Sequence, residues 1–241
     1  MPAFFAFTLA FGAALLFVVQ PLAARAALPV LGGSPAVWNT AMVFFQAIVL
    51  AGYGAAHFVA RRLPPKTQGF FFVGAAIAGC CVLPPASGTA AVAPPENPVL
   101  WLVGHLTSRL ALPCFALALT SPLLQHWYAR ISRDRGEPYA LYAASNAGSL
   151  GALLAYPLLL EPTLDLDRQG NLWSFAYVAW GLAIAVVAFR QAARPDLPEA
   201  PPRDAAAHDT SGVDWPRTLG WVALAAVPAS LLQGCTLFLT T

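Results

Sequence analysis

Charge is what this sequence has least of. Only 10% of its 241 residues are Asp, Glu, Lys or Arg, against 58% hydrophobic, and a soluble domain carries more than double that charged share. The scarcity excludes a soluble globular domain and names the lipid bilayer as the first partner. The net charge of +2 reports topology and not nucleic acid, because the charges lie in the gaps between long uncharged runs. Cysteine is sparse too. Cys80, Cys81, Cys114 and Cys235 all fall in apolar segments without metal-ligand spacing, so they read as small packing residues, with a vicinal Cys80-Cys81 redox pair as the alternative. No P-loop, dinucleotide fingerprint, H-E-x-x-H or nucleophile elbow occurs. His57, His105, His126 and His208 sit in separate segments. The reading therefore holds no catalytic residue, no metal and no cofactor. The apolar stretch Met1 to Val19 has no Lys or Arg before it, which argues for a first membrane helix and against a cleavable signal.

What is there is an all-α, polytopic transmembrane bundle of about seven spans: Ala3–Val19, Ala36–Phe58, Gly69–Leu83, Val99–Leu124, Leu141–Pro162, Leu172–Phe189 and Leu219–Thr241. The breaker-rich run Leu28 to Pro35 is expected to turn the chain after the first span. Residues 1–194 make a bundle of six helices, 195–216 a Pro-, Ala- and Asp-rich linker, and 217–241 a seventh helix opening a second membrane segment. That helix stops without a polar flank, so the chain is expected to be an N-terminal fragment. The gaps after spans two and four hold three Lys or Arg each, and the gap after span six holds four. With seven spans, all three fall on one side if the N-terminus is cytoplasmic.

The fifth span is expected to sit at the centre of the bundle. It is uncharged before Glu161, and Ala144, Gly148, Gly151 and Ala155 recur along it as small packing residues that let a neighbouring backbone approach closely. Five polar residues inside spans are candidates for a substrate pathway: Asn39 and Gln46, seven apart in span two; His105 and Arg109, four apart in span four; and Asn146 in span five. Polar groups at membrane depth serve either as interhelical glue or as ligand contacts, and both readings stay open. Pro113 and Pro122 invite kinks in span four. Glu161, Asp165 and Asp167 form an acidic outer rim able to attract a cation, or simply a solvated edge.

Longer motifs bring in a family. Gln20-Pro21, Leu28-Pro29-Val30-Leu31-Gly32-Gly33-Ser34-Pro35-Ala36-Val37-Trp38-Asn39-Thr40, Phe44-Phe45-Gln46 and Ala51-Gly52-Tyr53 open the pattern. Ser121-Pro122-Leu123-Leu124-Gln125, Leu141-Tyr142-Ala143-Ala144-Ser145-Asn146, Ala155-Tyr156-Pro157 with Glu161-Pro162, and Pro228-Ala229-Ser230-Leu231-Leu232 continue it. Together they resemble bacterial fused major-facilitator/spermidine-synthase-like membrane proteins. The resemblance implies a major-facilitator-like membrane part in the bacterial inner membrane and leaves its solute open, with a polyamine-like small molecule as a candidate. It also implies, in many members, a soluble aminopropyltransferase-like domain beyond the stretch seen here. Arg109 lies outside the shared motif. The functional expectation is a transporter-like membrane module; the alternatives are an anchor for that C-terminal enzyme domain, or a structural subunit, as in a homo-oligomer.

Overall fold

The computed structural model describes residues 2–85, 96–131, 139–193 and 215–240, and among them every regular element is helical. The first unit, Met1–Leu197, contains α1 (Pro2–Leu31), α2 (Pro35–Arg62), α3 (Pro65–Cys80), α4 (Pro98–Ile131), α5 (Tyr139–Thr163) and α6 (Leu166–Ala192). All of these but α3 are long and apolar enough to cross a membrane. This is a helical membrane protein. The second unit, Pro198–Thr241, holds α7 (Trp215–Thr240), a helix that runs through Pro228. The expected linker at 195–216 lies mostly outside the described residues, as do Arg133, Arg135 and His208.

Helix ends differ from the sequence expectation where proline was read as a stop. α1 passes through both Pro21 and Pro29, so Arg25 sits on a helix and not in a loop. A proline's φ is already helical and it forfeits one backbone bond, a loss that a packed membrane helix tolerates. The real stop is Gly32, at φ 68°, with its N–H on the Leu28 carbonyl at 2.9 Å. A left-handed residue after the last turn is glycine's role. α4 likewise continues through Pro113 and Pro122.

The third span, expected at Gly69–Leu83, instead begins four residues earlier and ends three earlier, at Pro65–Cys80. α3 has 16 residues, roughly 24 Å at 1.5 Å per residue, below a hydrocarbon core of about 30 Å. Its last turn, at Gly79, meets Pro113 and Tyr177, both near the middles of α4 and α6. The chain nonetheless regains the opposite end by Pro98, because Leu102 and Leu106 of α4 pack with Ala27, Leu28 and Trp38.

Contacts between helices fall into a pattern. α1 packs most extensively on α5, α2 on α4, α3 on α6 and α4, and α1 also on α4 and α6. Exchanging α1 with α4, α2 with α5 and α3 with α6 maps this set onto itself. The two connections match in detail: Leu63 (φ −109°, ψ 144°) then Pro64 (−66°, 155°) between α2 and α3, and Leu164 (−123°, 138°) then Asp165 (−68°, 165°) between α5 and α6. Each is followed by a buried glutamine and a glycine, Gln68-Gly69 and Gln169-Gly170. Each glutamine Nε2 donates back to the leucine carbonyl, at 2.9 Å from Gln68 to Leu63 and 2.8 Å from Gln169 to Leu164. Since α1 and α4 start at opposite ends, the halves are arranged as an inverted repeat of three helices.

The centre of the bundle is where α1, α4 and α6 meet. A Cβ at Gly12 would lie 2.8 Å from Trp180 Nε1 and 3.1 Å from Thr120 Cγ2, and Trp180 is fully buried. α5 is not central, contrary to expectation. It leans on α1 along Leu141, Ala144, Gly148, Ala152 and Ala155 and exposes Asn146, Ala147, Leu150 and Leu154. In lipid both faces of a helix can be apolar, so residue type alone does not tell the inner face from the outer.

Charge separates the two ends. Arg61, Arg62, Lys66, Arg130 and Arg190 close the helices at one end. That end is drawn together by Trp127 Nε1 donating to Gln68 Oε1 at 2.7 Å, by the Phe5–Tyr128 ring pair and by Arg190 over Phe4. At the other end Arg25, Glu161, Asp165, Asp167 and Arg168 mark the C-terminus of α1, the last turn of α5 and the start of α6.

Candidate functional site

At that mixed-charge end, α1, α2 and α5 leave a cleft of about 470 Å³. α1 lines it with Pro21, Ala24, Arg25 and Leu28, and α2 with Trp38, Ala41, Met42 and Phe45. Both sets follow the i, i+3, i+4, i+7 spacing of one helical face. α5 adds Leu153, Tyr156, Pro157 and Glu161. The walls are mostly apolar and the polar groups few, as in small-molecule sites.

The α5 wall is shaped by a π turn at Tyr156–Leu160, in which the Glu161 N–H bonds the Tyr156 carbonyl. In an α-helix, residues five apart point about 140° away from each other. The wider turn stacks them instead, so Glu161 comes round to the cleft face beneath Tyr156. Wide turns of this kind are frequent at functional sites, and Pro157, which cannot donate to the preceding turn, accounts for one here.

Arg25 and Glu161 face each other across the mouth. Arg25 Nε lies 4.0 Å from Glu161 Oε1, and its Nη1 donates to the Glu161 backbone carbonyl at 3.4 Å. The side chains keep 33% and 49% of their exposure, so the pair is screened and loosely held, and a solute can compete for either partner. Tyr156 is 4% exposed. Its hydroxyl sits beside the Arg25 guanidinium without a hydrogen bond of good geometry. Gln20 stands at the rim of the cleft, its Nε2 on the Leu16 carbonyl at 3.3 Å.

None of the five residues expected to line a pathway borders this cleft. Asn39 is half-buried in a separate hollow with Thr40, Val43 and Val103, and Gln46 and Asn146 are exposed. His105 and Arg109 are both half-buried on α4, with the His105 ring stacked on Trp101 at 5.0 Å and 3°. Of the small residues on α5, Gly148 is pressed on α1: a Cβ there would overlap the Ala10 carbonyl oxygen and lie 2.8 Å from Ala10 Cα. Gly151 is exposed with no neighbour for a Cβ within 4 Å. The acidic rim divides. Asp165 Oδ1 caps α6 by accepting the Arg168 N–H at 2.8 Å, whereas Glu161 belongs to the cleft. Among the described residues no three His, Cys, Asp or Glu side chains gather as a metal site would need.

Of the cleft residues, the sequence singles out only Glu161, and that as part of an acidic rim; Arg25 and Tyr156 do not stand out, because a first span ending at Val19 leaves Arg25 outside the helix and Tyr156 is one aromatic among many in an apolar run. Two signals could have found them. Gln20-Pro21, Trp38 and Tyr156-Pro157 with Glu161 are all parts of the motifs quoted above. Arg25 and Glu161 are also lone opposite charges at the same ends of spans one and five. No family model, curated protein or solved structure matches this chain.

Proposed function

We propose that this chain is a transporter-like membrane module whose solute enters the cleft between α1, α2 and α5. The observation that carries the reading is the Arg25–Glu161 pair held over an apolar cleft by a π turn. The inverted arrangement of the two halves supports it, since transporters of several kinds are built that way and bind between their repeats. The cleft also lies between α1 of one half and α5 of the other. The basic end is read as cytoplasmic in a bacterial inner membrane, which puts the cleft at the opposite face.

The chemistry narrows the solute. Arg25 offers a partner for an anion, Glu161 for a cation, and Trp38, Met42 and Phe45 a surface for an apolar body. A small zwitterion with an apolar side matches this set better than a polyamine, whose several cations would meet one carboxylate already paired with an arginine. The fused major-facilitator/spermidine-synthase-like resemblance remains part of the proposal for the module, and its motifs supply much of the cleft.

The test is counterflow in proteoliposomes, with labelled apolar amino acids and spermidine supplied separately. Amino-acid exchange above that of empty liposomes, lost in Arg25→Gln and Glu161→Gln and partly restored in the Arg25→Glu/Glu161→Arg double variant, is expected. Exchange that is absent throughout, or that survives both single variants, overturns the reading; exchange of spermidine alone overturns the assignment of solute.

A further inference from the structure

The four cysteines do not share one environment. All are free, but only Cys114 is buried as a packing residue would be; Cys80, Cys81 and Cys235 are exposed. Cys80 closes α3 and Cys81 caps it. Cys81, Val82 and Leu83 turn their N–H groups back on the Ala78, Gly79 and Cys80 carbonyls, at 3.2, 3.5 and 3.4 Å, so the backbone of this turn is held without either side chain. Each thiol reaches only a carbonyl one turn back, Cys80 Sγ donating to Ala76 at 3.5 Å and Cys81 Sγ to Ile77 at 3.9 Å. A thiol is a weak donor, and the Ala76 carbonyl already accepts the Tyr177 hydroxyl at 3.1 Å. Neither sulfur is committed.

The repeat shows that the architecture does not require thiols here. Counted from Gln68 and Gln169, the register of Cys80-Cys81 falls in the second half on Gly181-Leu182, and α6 runs on past it to Ala192. α3 instead stops at the level of Pro113 and Tyr177 and ends on two adjacent thiols. A disulfide between them is disfavoured. Consecutive Cα atoms are about 3.8 Å apart, closer than the roughly 4.4 Å at which disulfides begin, and side chains one residue apart on a helix diverge by about 100°. A bridging ion relaxes both limits, because metal–thiolate bonds of about 2.3 Å each let the two sulfur atoms stand about 4.6 Å apart. No third His, Cys, Asp or Glu gathers with the pair among the described residues, so it suits an ion that is satisfied by two ligands, and thiolates select soft ions. Net charge at this depth is expensive, and two thiolates are neutralised by a divalent ion.

We propose that Cys80 and Cys81 form a chelating site for a soft divalent ion that takes two thiolates in line, as mercuric ion does. Two S–H bonds are exchanged for two metal–sulfur bonds, two protons leave, and nothing is oxidised or reduced. The site does not depend on how the cleft is read.

The probe is mercuric chloride, added in equimolar amount to the purified full chain in detergent, on a Cys235→Ser background and against an excess of 2-mercaptoethanol. Mass spectrometry of the folded protein is expected to show one mercury gained for two protons lost, with no mercaptoethanol attached. Cys80→Ser and Cys81→Ser should each weaken retention against the competitor roughly 100-fold or more, the advantage of a second ligand held on the same chain. Cys114→Ser should leave it unchanged. No retained mercury, retention that survives either Cys80→Ser or Cys81→Ser, or mercury that carries a mercaptoethanol, as single thiols give, each overturns the proposal. Both residues are exposed, so serine should leave the melting temperature as it is. Should a variant fail to fold, alkylation of the Cys235→Ser chain decides: one mercury should shield Cys80 and Cys81 from N-ethylmaleimide together, and shielding of one alone overturns the chelate.

Discussion

The two halves of the bundle use one design and finish it differently. In α2–α3 the turn glutamine is fully engaged: two carbonyls on its nitrogen and the Trp127 indole on its oxygen. In α5–α6 the same turn, with nearly the same backbone angles, leaves the oxygen buried without a hydrogen-bond partner among the described residues, and the helix before it is opened by a π turn. A matching difference appears where the middle helix of each half leans on the first helix of the other. Gly52 of α2 sits on Ala118, whose Cβ would be 2.5 Å from an added Cβ, and Gly148 of α5 sits directly on the Ala10 backbone. The first half reads as the closed version of the motif. The second has kept the architecture but opened its middle helix, and the Tyr156 and Glu161 that this brings round meet α1 and α2 of the first half across the cleft.

The comparison breaks most severely at the glycines. Gly148→Leu should cost more than about 3 kcal/mol, because backbone cannot move aside as a side chain can. Little monodisperse protein should survive detergent extraction, as fluorescence-detected size exclusion would show. Gly52→Leu, meeting a side-chain methyl first, should be milder, about 1–3 kcal/mol, and leave a folded protein with a lowered melting temperature. Equal losses would mean that the two contacts are not the counterparts they are taken to be.

A smaller effect separates the glutamines. Gln68→Leu strands the Trp127 N–H in a buried setting as well as freeing two carbonyls, whereas Gln169→Leu frees only the carbonyls. Gln68→Leu should therefore be the more destabilising by about 1–3 kcal/mol in thermal unfolding. A Gln68→Leu/Trp127→Phe double variant should recover much of that difference. If the two single variants unfold together, the indole bond contributes nothing and the contrast between the halves loses its energetic basis. Smallest of all is Gly151→Leu. With nothing within 4 Å of its added Cβ, it should shift stability by less than about 0.5 kcal/mol, and a large loss would put α5 in a different rotation on α1.

Much of the fold was readable because a bilayer imposes its demands locally. Each long helix announces itself as an uncharged run, and the segregation of Arg61, Arg62, Lys66, Arg130 and Arg190 from Glu161, Asp165 and Asp167 carries the arrangement of ends. The candidate sites were less legible. Asn39, Gln46, His105, Arg109 and Asn146 drew attention as polar residues within spans, yet Gln46 and Asn146 face outward. Small residues misled in the same way: Ala144 and Gly148 face α1, while Ala147 and Gly151, one turn from them on the same helix, do not. A repeated Leu-x-x-x-x-Gln-Gly, at 63–69 and 164–170, was the one local sign of the inverted halves.

By itself, then, the sequence determined a helical membrane protein, the course of its long helices and the charge of its two ends, since length, apolarity and charge placement are set by the solvent and not by any partner helix. Tertiary structure decided that α1 runs on through Pro21, that α5 stands at the margin, that Arg25 meets Glu161 136 residues away, and that Gln68 is satisfied where Gln169 is not. Each of those depends on which helix lies opposite, and in lipid, where every side of a helix is equally apolar, that is settled only by how the backbones fit together.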